Sequence, residues 1–185
     1  MDVLFRVVNV VSTATLDSSV DIESLPQFFP NEAVHDEEIY GGRVAYFKSE
    51  AMQGKVTIFP SGKLISVGTK SIEESIRDLN LVAKALKSGL TEPKIRNIVA
   101  TSDIGHGMDL ESISLMREIE AIYEPEQFPG MIIKIPLGED NMATILLFAS
   151  GKLVCVGLKN LENIKEAIEQ LIKLIRVKDE KYNRQ

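Results

Sequence analysis

Cysteine, histidine and tryptophan are nearly missing from this 185-residue chain, which has one, two and none of them respectively. A single cysteine, Cys155, rules out a disulfide framework, and its place in a strand-like apolar run reads as core filler in a reducing interior. The histidines offer no metal centre, because His35 stands in an acidic loop, His106 stands between Gly105 and Gly107, and no second His or Cys lies at ligand spacing. Asp103, His106 and Asp109 could be imagined as a metal cluster, but a turn followed by a helix cap explains them more simply. No nucleophile has an evident base beside it. Gly62 and Gly151 sit in two-strand turns that lack the following Lys-Ser pair a nucleotide loop needs. The expectation is therefore no enzyme and no cofactor. No apolar run approaches the ~18 residues of a membrane span, and residues 1–20 carry charged and polar side chains throughout, so neither a span nor a signal peptide is expected. Positive charge is short as well. Lys and Arg number 21 against 27 Asp and Glu, for a net charge of −6, which argues against a generic nucleic-acid binder without excluding a basic surface that is local.

What is present is repetition. With 44% apolar residues the chain can bury a sizeable core as one or two domains. Nearly the same text is written twice, 88 to 89 residues apart: Asn9 and Val11 recur as Asn97 and Val99, Asp21 and Glu23 as Asp109 and Glu111, Tyr40 and Gly42 as Phe128 and Gly130. The run Phe59-Pro-Ser-Gly-Lys-Leu-Ile-Ser-Val-Gly-Thr-Lys70 returns as Phe148-Ala-Ser-Gly-Lys-Leu-Val-Cys-Val-Gly-Leu-Lys159. The register slips because the second copy holds one more residue between Gly130 and Phe148 than the first holds between Gly42 and Phe59. The copies span 1–90 and 91–185, joined by Thr91-Glu92-Pro93, and each carries a net charge of −3.

Each copy reads as strand, short helix, several strands, long helix. Leu4 to Thr15 and Ile95 to Ile104 look extended, and a short helix is predicted after each of Asp21 and Asp109 as N-caps. Ile72, Ile76, Leu79, Ala83 and Leu86 recur at helical spacing after Ser71, which can cap with Glu74; Leu161, Ile164, Ile168, Leu171 and Ile175 do so after Asn160. Gly89 is expected to close the first long helix, and a basic tail from Lys178 to Gln185 to fray. The strands are unusual, because Gly130 to Ile133, Met142 to Phe148 and Leu153 to Val156 are apolar on both faces. Helices of the same copy can cover one face. The other, with positions 11, 40, 59, 65, 67, 99, 128, 148, 154 and 156, either forms an exposed binding surface or closes as a sandwich of two sheets.

Tyr123-Glu-Pro-Glu-Gln-Phe-Pro-Gly130, followed by Leu146-Leu-Phe-Ala-Ser-Gly-Lys152 and Val156-Gly157, resembles the TATA-box-binding protein family in its archaeal form, and the first copy carries matching text. The resemblance spans residues 6–176. It implies an α+β saddle: a curved ten-stranded antiparallel sheet, five strands per repeat, with four helices on the convex side and an apolar concave face on the DNA minor groove. A·T pairs show only acceptors in that groove, so a reader needs small donors beside an apolar surface that penalises the guanine amine. By position, Asn9 and Asn97 match the family's donors. Val11, Val99, Ile65 and Val154 match the apolar contacts beside them, Thr57 and Leu146 a further pair, and Val67 and Val156 positions where threonine is usual. Wedges that kink the duplex match Tyr40 with Phe59 and Phe128 with Phe148. Such wedges, and a bend of about 80°, are known properties of the family and are not inferred from these residues. Phosphate contacts match Ser61, Lys63, Lys70, Ser150, Lys152 and Lys159, with Lys134 where an arginine is common.

The same resemblance implies that Glu124 and Glu126 meet transcription factor B, that RNA polymerase is engaged indirectly, and that the protein is cytoplasmic and nucleoid-associated, or nuclear in a eukaryote. It leaves open a homodimer of the free protein through its apolar face. Departures gather in the first copy. Tyr40 must desolvate a hydroxyl to enter a base step, Tyr46 stands at an arginine position, and the loop Asn31-Glu-Ala-Val-His-Asp-Glu-Glu38 is acidic. Val67 and Val156 each lack a donor worth about 1 kcal/mol. The expectation is DNA binding that is weaker, less selective or more partner-dependent than the family norm. The alternative is a saddle-fold interaction or ligand-binding module without TATA-specific binding.

Overall fold

A computed structural model of the chain describes residues 3–138 and 141–182. The described residues form ten strands and four α-helices. In chain order these are β1 (Phe5–Thr15), α1 (Leu25–Phe28), β2 (Ala33–His35), β3 (Ala45–Phe47), β4 (Lys55–Ile58), β5 (Lys63–Thr69), α2 (Ile72–Ala85), β6 (Lys94–Asp103), α3 (Leu110–Ser114), β7 (Glu120–Ile122), β8 (Gly130–Leu137), β9 (Asn141–Phe148), β10 (Lys152–Leu158) and α4 (Leu161–Tyr182). A single 3-10 turn covers Tyr40–Gly42. Two compact units result, Val8–Asn97 and Met1–Val7 with Ile98–Gln185, called here the N-terminal and C-terminal units. The opening strands β1 and β6 thus each lend their first residues to the other unit. In the C-terminal unit, the Ser102 hydroxyl donates to the Leu4 carbonyl at 2.6 Å.

Within the N-terminal unit the antiparallel order is β2-β3-β4-β5-β1, and within the C-terminal unit it is β7-β8-β9-β10-β6. In each, one long helix packs on one sheet face: α2 on β4 and β5, α4 on β8, β9 and β10. The strands alternate accordingly. Val10, Ser12, Ala14, Val56, Ile58, Leu64 and Ser66 are buried under the helix side, while Asn9, Val11, Thr57, Ile65 and Val67 are only half-buried on the other. The C-terminal unit repeats this, with Ile145, Leu147, Leu153 and Cys155 buried and Thr144, Leu146, Val154 and Val156 half-buried. The sandwich left open by the strand pattern is not formed, since it would bury that second face.

The duplication extends to individual backbone hydrogen bonds. The turn at Gly62 is tied to the chain leaving β1 by Leu16 N–H to Gly62 C=O and Val20 N–H to Pro60 C=O, both 2.9 Å. Ile104 N–H to Gly151 C=O at 2.9 Å and Met108 N–H to Ala149 C=O at 2.8 Å repeat that lock. Gly62 and Gly151 hold φ of +82° and +87°, and a Cβ would come within 2.5 Å of the Ser18 carbonyl at the first and collide with the His106 carbonyl at the second. Glycine is thus required on two counts.

Side-chain chemistry inside the units differs. In the N-terminal unit Ser12, Ser66 and Ser75 form a buried chain, with oxygen separations of 2.6 and 3.2 Å, and buried Asp78 accepts from Gly54 N–H at 2.7 Å and Gln53 N–H at 3.3 Å. Ala100, Cys155, Ile164 and Ala167 occupy the repeat-equivalent positions and are fully buried. These serine and aspartate bonds explain why the buried stripe of α2 is Ser75, Asp78, Leu79, Val82 and Ala83, with Ile72 and Ile76 only half-buried. Hydrogen-bond demand turns two polar residues inward, where apolar spacing alone points elsewhere.

Caps follow the sequence at three of four helices. Ser71 Oγ accepts from Glu74 N–H at 3.1 Å, Asp109 Oδ1 from Ser112 N–H at 3.0 Å, and Asn160 Oδ1 from Asn163 N–H at 2.8 Å. Asp21 does not cap α1. That helix starts later, at Leu25, while Asp21 Oδ2 accepts from the Ser24 hydroxyl at 2.6 Å, a bond that lowers the Asp21 pKa. Gly89 does not close α2 either. Lys87 takes the left-handed position at φ +51°, and Gly89 is required instead by the approach of Asp17, whose Oδ2 would collide with a Cβ there. Helix α4 continues to Tyr182, into the segment from Lys178 predicted to fray; residues 183–185 lie outside the described residues.

The one-residue slip between the copies conceals two larger changes. Val34 pairs with Tyr46 across eleven intervening residues, and Ile122 with Ile132 across nine. Tyr46 then pairs with Thr57 across ten, and Ile132 with Leu146 across thirteen. The N-terminal unit is therefore two residues longer in the loop before β3 and three shorter in the hairpin after it.

Candidate nucleic-acid interface

The half-buried face of the N-terminal unit is built in rows by strand register. Tyr46, Thr57, Ile65 and Thr13 lie side by side on β3, β4, β5 and β1, and Lys55 pairs with Val67. In the C-terminal unit Ile132, Leu146, Val154 and Thr101 form the matching row, beside one of Lys134, Thr144 and Val156. The predicted apolar contacts thus fall into line within each unit, and Thr57 and Leu146 occupy equivalent places.

Asn9 is fixed as a donor. Its side-chain oxygen accepts from Gly68 N–H at 2.8 Å, and because an N–H can only donate, the atom facing it must be Oδ1. The amide nitrogen is left to donate outward. Gly68, at φ +90°, sits where β1 and β5 shift register between Val10 and Ser12, the irregularity that brings its N–H to Asn9. Gly157 repeats the geometry at φ +91° beside a register shift between Cys155 and Leu158, and Asn97 is half-buried on β6.

Cations flank both faces. Lys63 and Lys152 follow the Ser-Gly turns, and their N–H groups approach the Ser61 and Ser150 hydroxyls at 3.5 and 3.4 Å. Ser61, Ser150, Lys70 and Lys159 are exposed. Lys134 Nζ donates to Thr144 Oγ1 at 2.7 Å. A groove of about 790 Å³ in the C-terminal unit is lined by Arg6, Thr101, Phe148, Ser150, Lys152 and Val154 among others. Its counterpart in the N-terminal unit, about 480 Å³, includes Thr13, Lys63, Thr91, Lys94 and Arg96, with Arg96 Nε donating to Thr13 Oγ1 at 2.8 Å. The sequence reading missed Arg6, Lys55, Lys94 and Arg96, although the repeat numbering, which pairs Arg6 with Lys94, was a signal for two of them. Lys55 Nζ lies 4.0 Å from the centre of the Tyr46 ring. Tyr46 itself does not stand at the expected arginine position, because strand register sets it at the place of Ile132 and Lys48 at that of Lys134.

The aromatic pairs are not alike. Phe128 and Phe148 stand edge to face with centroids 5.8 Å apart, and Gly130 lies against both, its would-be Cβ only 2.7 Å from one ring and 3.0 Å from the other. Glu124, at the start of the preceding turn, accepts through its carbonyl from Gln127 and Phe128 N–H, and the side chains of Glu124 and Glu126 are exposed. Tyr40 and Phe59 make no ring contact among those of the described residues; Tyr40 is 75% exposed and Phe59 is half-buried near Lys63. Among the described residues no group of three or more His, Cys, Asp or Glu is placed to hold a metal, and no helix is long and apolar enough to cross a membrane.

The family described as "Transcription factor TFIID (or TATA-binding protein, TBP)" matches residues 4–88 and again 92–177. The chain belongs to the TATA-box-binding protein family. It is 40% identical to the TATA-box-binding protein of Cenarchaeum symbiosum over 90% of this chain and 91% of that relative. With that of Methanothermobacter thermautotrophicus it shares 35% identity over 91% and 93%. The solved structure of Methanococcus jannaschii TBP superposes with a TM-score of 0.74 at 31% identity, covering 93% of this chain and 98% of that one. The α+β fold class, with ten antiparallel strands and four helices in two repeats among the described residues, is accordingly that of the family.

Proposed function

We propose that this family member is a general transcription initiation factor that binds promoter DNA through the minor groove, bends it, and recruits transcription factor B and thereby RNA polymerase. The observation that carries the reading is the half-exposed apolar face of each unit, bordered by lysines and, at Asn9, by a side-chain donor oriented by Gly68 N–H. Val11, Thr57, Ile65 and Val67, with Val99, Leu146, Val154 and Val156, supply apolar contact to base edges, and Asn9 and Asn97 donate to their acceptors. Phe128 and Phe148 wedge a base step. Ser61, Lys63, Lys70, Lys134, Ser150, Lys152 and Lys159 contact phosphates, and Glu124 and Glu126 meet transcription factor B. Such a protein binds and deforms without turnover, and works on the chromosome in the nucleoid. The lysine border favours this over a ligand-binding or interaction module, for which an acidic rim would be expected.

A fluorescence-detected bending assay on a TATA-containing duplex at moderate salt, with and without transcription factor B, tests the proposal. Bending that Phe128→Ala and Phe148→Ala both abolish supports it. Bending only with the factor makes binding partner-dependent, and no bending in either condition overturns it. Sedimentation of the free protein reports whether two copies pair through the same face.

A further inference from the structure

We infer that the wedge is built at one end only: this protein kinks DNA where Phe128 and Phe148 enter, and its N-terminal unit lays an unwedged apolar face on the other end. The inference rests on the DNA-binding reading above. Its basis is the register of β3. In the C-terminal unit Gly130 pairs with Phe148, and Phe128 stands two residues before that pair. In the N-terminal unit Ala45 pairs with Ile58, so one further step of the same register sets Val44 opposite Phe59.

Val44 therefore takes the place of Gly130, while the chain before it turns at Arg43 (φ −85°, ψ −3°) out of the 3-10 turn that ends at Gly42. Gly130 is bare because a ring lies where its Cβ would be. Val44 brings a branched side chain, 5% exposed, to the equivalent position, so the bare backbone against which Phe128 packs at Gly130 has no counterpart there. Tyr40, the residue that matches Phe128 by sequence count, is two residues further out. It has φ +52° and is followed by Gly41 and Gly42 at +63° and +69°. His35 Nε2 lies 3.0 Å from the Gly42 carbonyl, which ties this left-handed turn to the neighbouring strand β2. The two extra residues of the loop thus carry the aromatic ring away from Phe59.

The test uses the full chain and TATA-containing duplexes bearing 2-aminopurine at the outer step of one end or the other, since unstacking raises the fluorescence of that base. Anisotropy first establishes binding. Tyr40→Ala, at an exposed position that leaves folding intact, is expected to keep the fluorescence rise at both labelled ends within a factor of about 1.3 of the parent. Phe128→Ala is expected to remove at least four-fifths of it at both, because a pseudo-symmetric duplex is bound in either orientation. Phe59→Ala, checked for folding by thermal melting, should follow Tyr40→Ala. Loss of about half the signal on Tyr40→Ala or on a folded Phe59→Ala would show a second wedge and overturn this inference while leaving DNA binding standing. Absence of any binding by the parent would overturn both.

Discussion

Replacing Asn9 by aspartate separates what the side chain does for the fold from what it does for a ligand. The oxygen that accepts from Gly68 N–H at 2.8 Å is kept in the Asn9→Asp variant, so the irregularity of β1 and β5 stays satisfied and the melting temperature should change by less than a few degrees. The outward amide is lost. A base acceptor that received a hydrogen bond now faces a carboxylate, which forfeits about 1 kcal/mol for the bond and a further ~1–3 kcal/mol for the unsatisfied acceptor. Together these weaken affinity for A·T-rich duplex by about 30-fold to several hundred-fold at about 1.4 kcal/mol per decade. Repulsion from nearby phosphates adds to the loss at low salt and fades as salt screens it. Asn9→Ala gives the converse pattern. It leaves Gly68 N–H without its partner, so folding stability falls by about 1 kcal/mol, while binding suffers less because no charge is introduced. Anisotropy titrations beside thermal melts of both variants read the two effects. An aspartate variant that binds within twofold of the parent, or that destabilises the fold more than alanine does, would refute this division of roles.

Four further outcomes are expected. Gly151→Ala should destabilise by about 2 kcal/mol or more in urea titrations, since its Cβ collides with the His106 carbonyl at φ +87°, whereas Gly41→Ala, with nothing within 4 Å, should cost only about 1 kcal/mol. Ser75→Ala alone should cost about 1–3 kcal/mol by orphaning the hydroxyls of Ser12 and Ser66, while replacing all three by alanine should cost less than the sum of the single changes. Burial raises the Cys155 thiol from 9.0 to about 11, so the folded state holds that proton more tightly than the unfolded one. Its contribution, about 2–3 kcal/mol, is whole below pH 9 and lost as pH climbs toward 11; Cys155→Ala should flatten that window of the stability profile. Lys152→Ala should weaken DNA binding regardless of sequence and make the slope of log affinity against log salt shallower by about 0.9, as one phosphate contact is removed.

Much of this was legible in the sequence because duplication supplies its own internal comparison. The repeated Ser-Gly-Lys text located both turns, and the periods after Ser71 and Asn160 located both long helices. The two-faced apolar strands announced a surface without a cover. Where reading failed, a local contact outweighed a residue's usual preference. Asp21 bonds to the Ser24 hydroxyl instead of capping a helix. Lys87 tolerates a positive φ that Gly89 was expected to provide. Ser75 and Asp78 turn inward because buried hydroxyls and N–H groups wait for them. The position of Tyr40 could not be found by counting at all, since a gain of two residues and a loss of three leave a net change of one, and only the pairing of β3 with its neighbours separates them.

A chain that repeats itself invites its own copies to be exchanged, whether by recombination between the two coding segments or by a strand settling in the wrong half during folding. The backbone lattice offers no defence, because the turn locks at Gly62 and Gly151 are interchangeable bond for bond. The interiors supply one. A strand carrying Ser12 or Ser66, moved into the half that holds Ala100, Cys155 and Ile164, would bury a hydroxyl with no partner; the reverse move would strip Ser75 of its hydrogen-bond partners. Each half thus carries a chemical signature that recognises its own strands, and this permits two nearly identical architectures to persist in one polypeptide without merging.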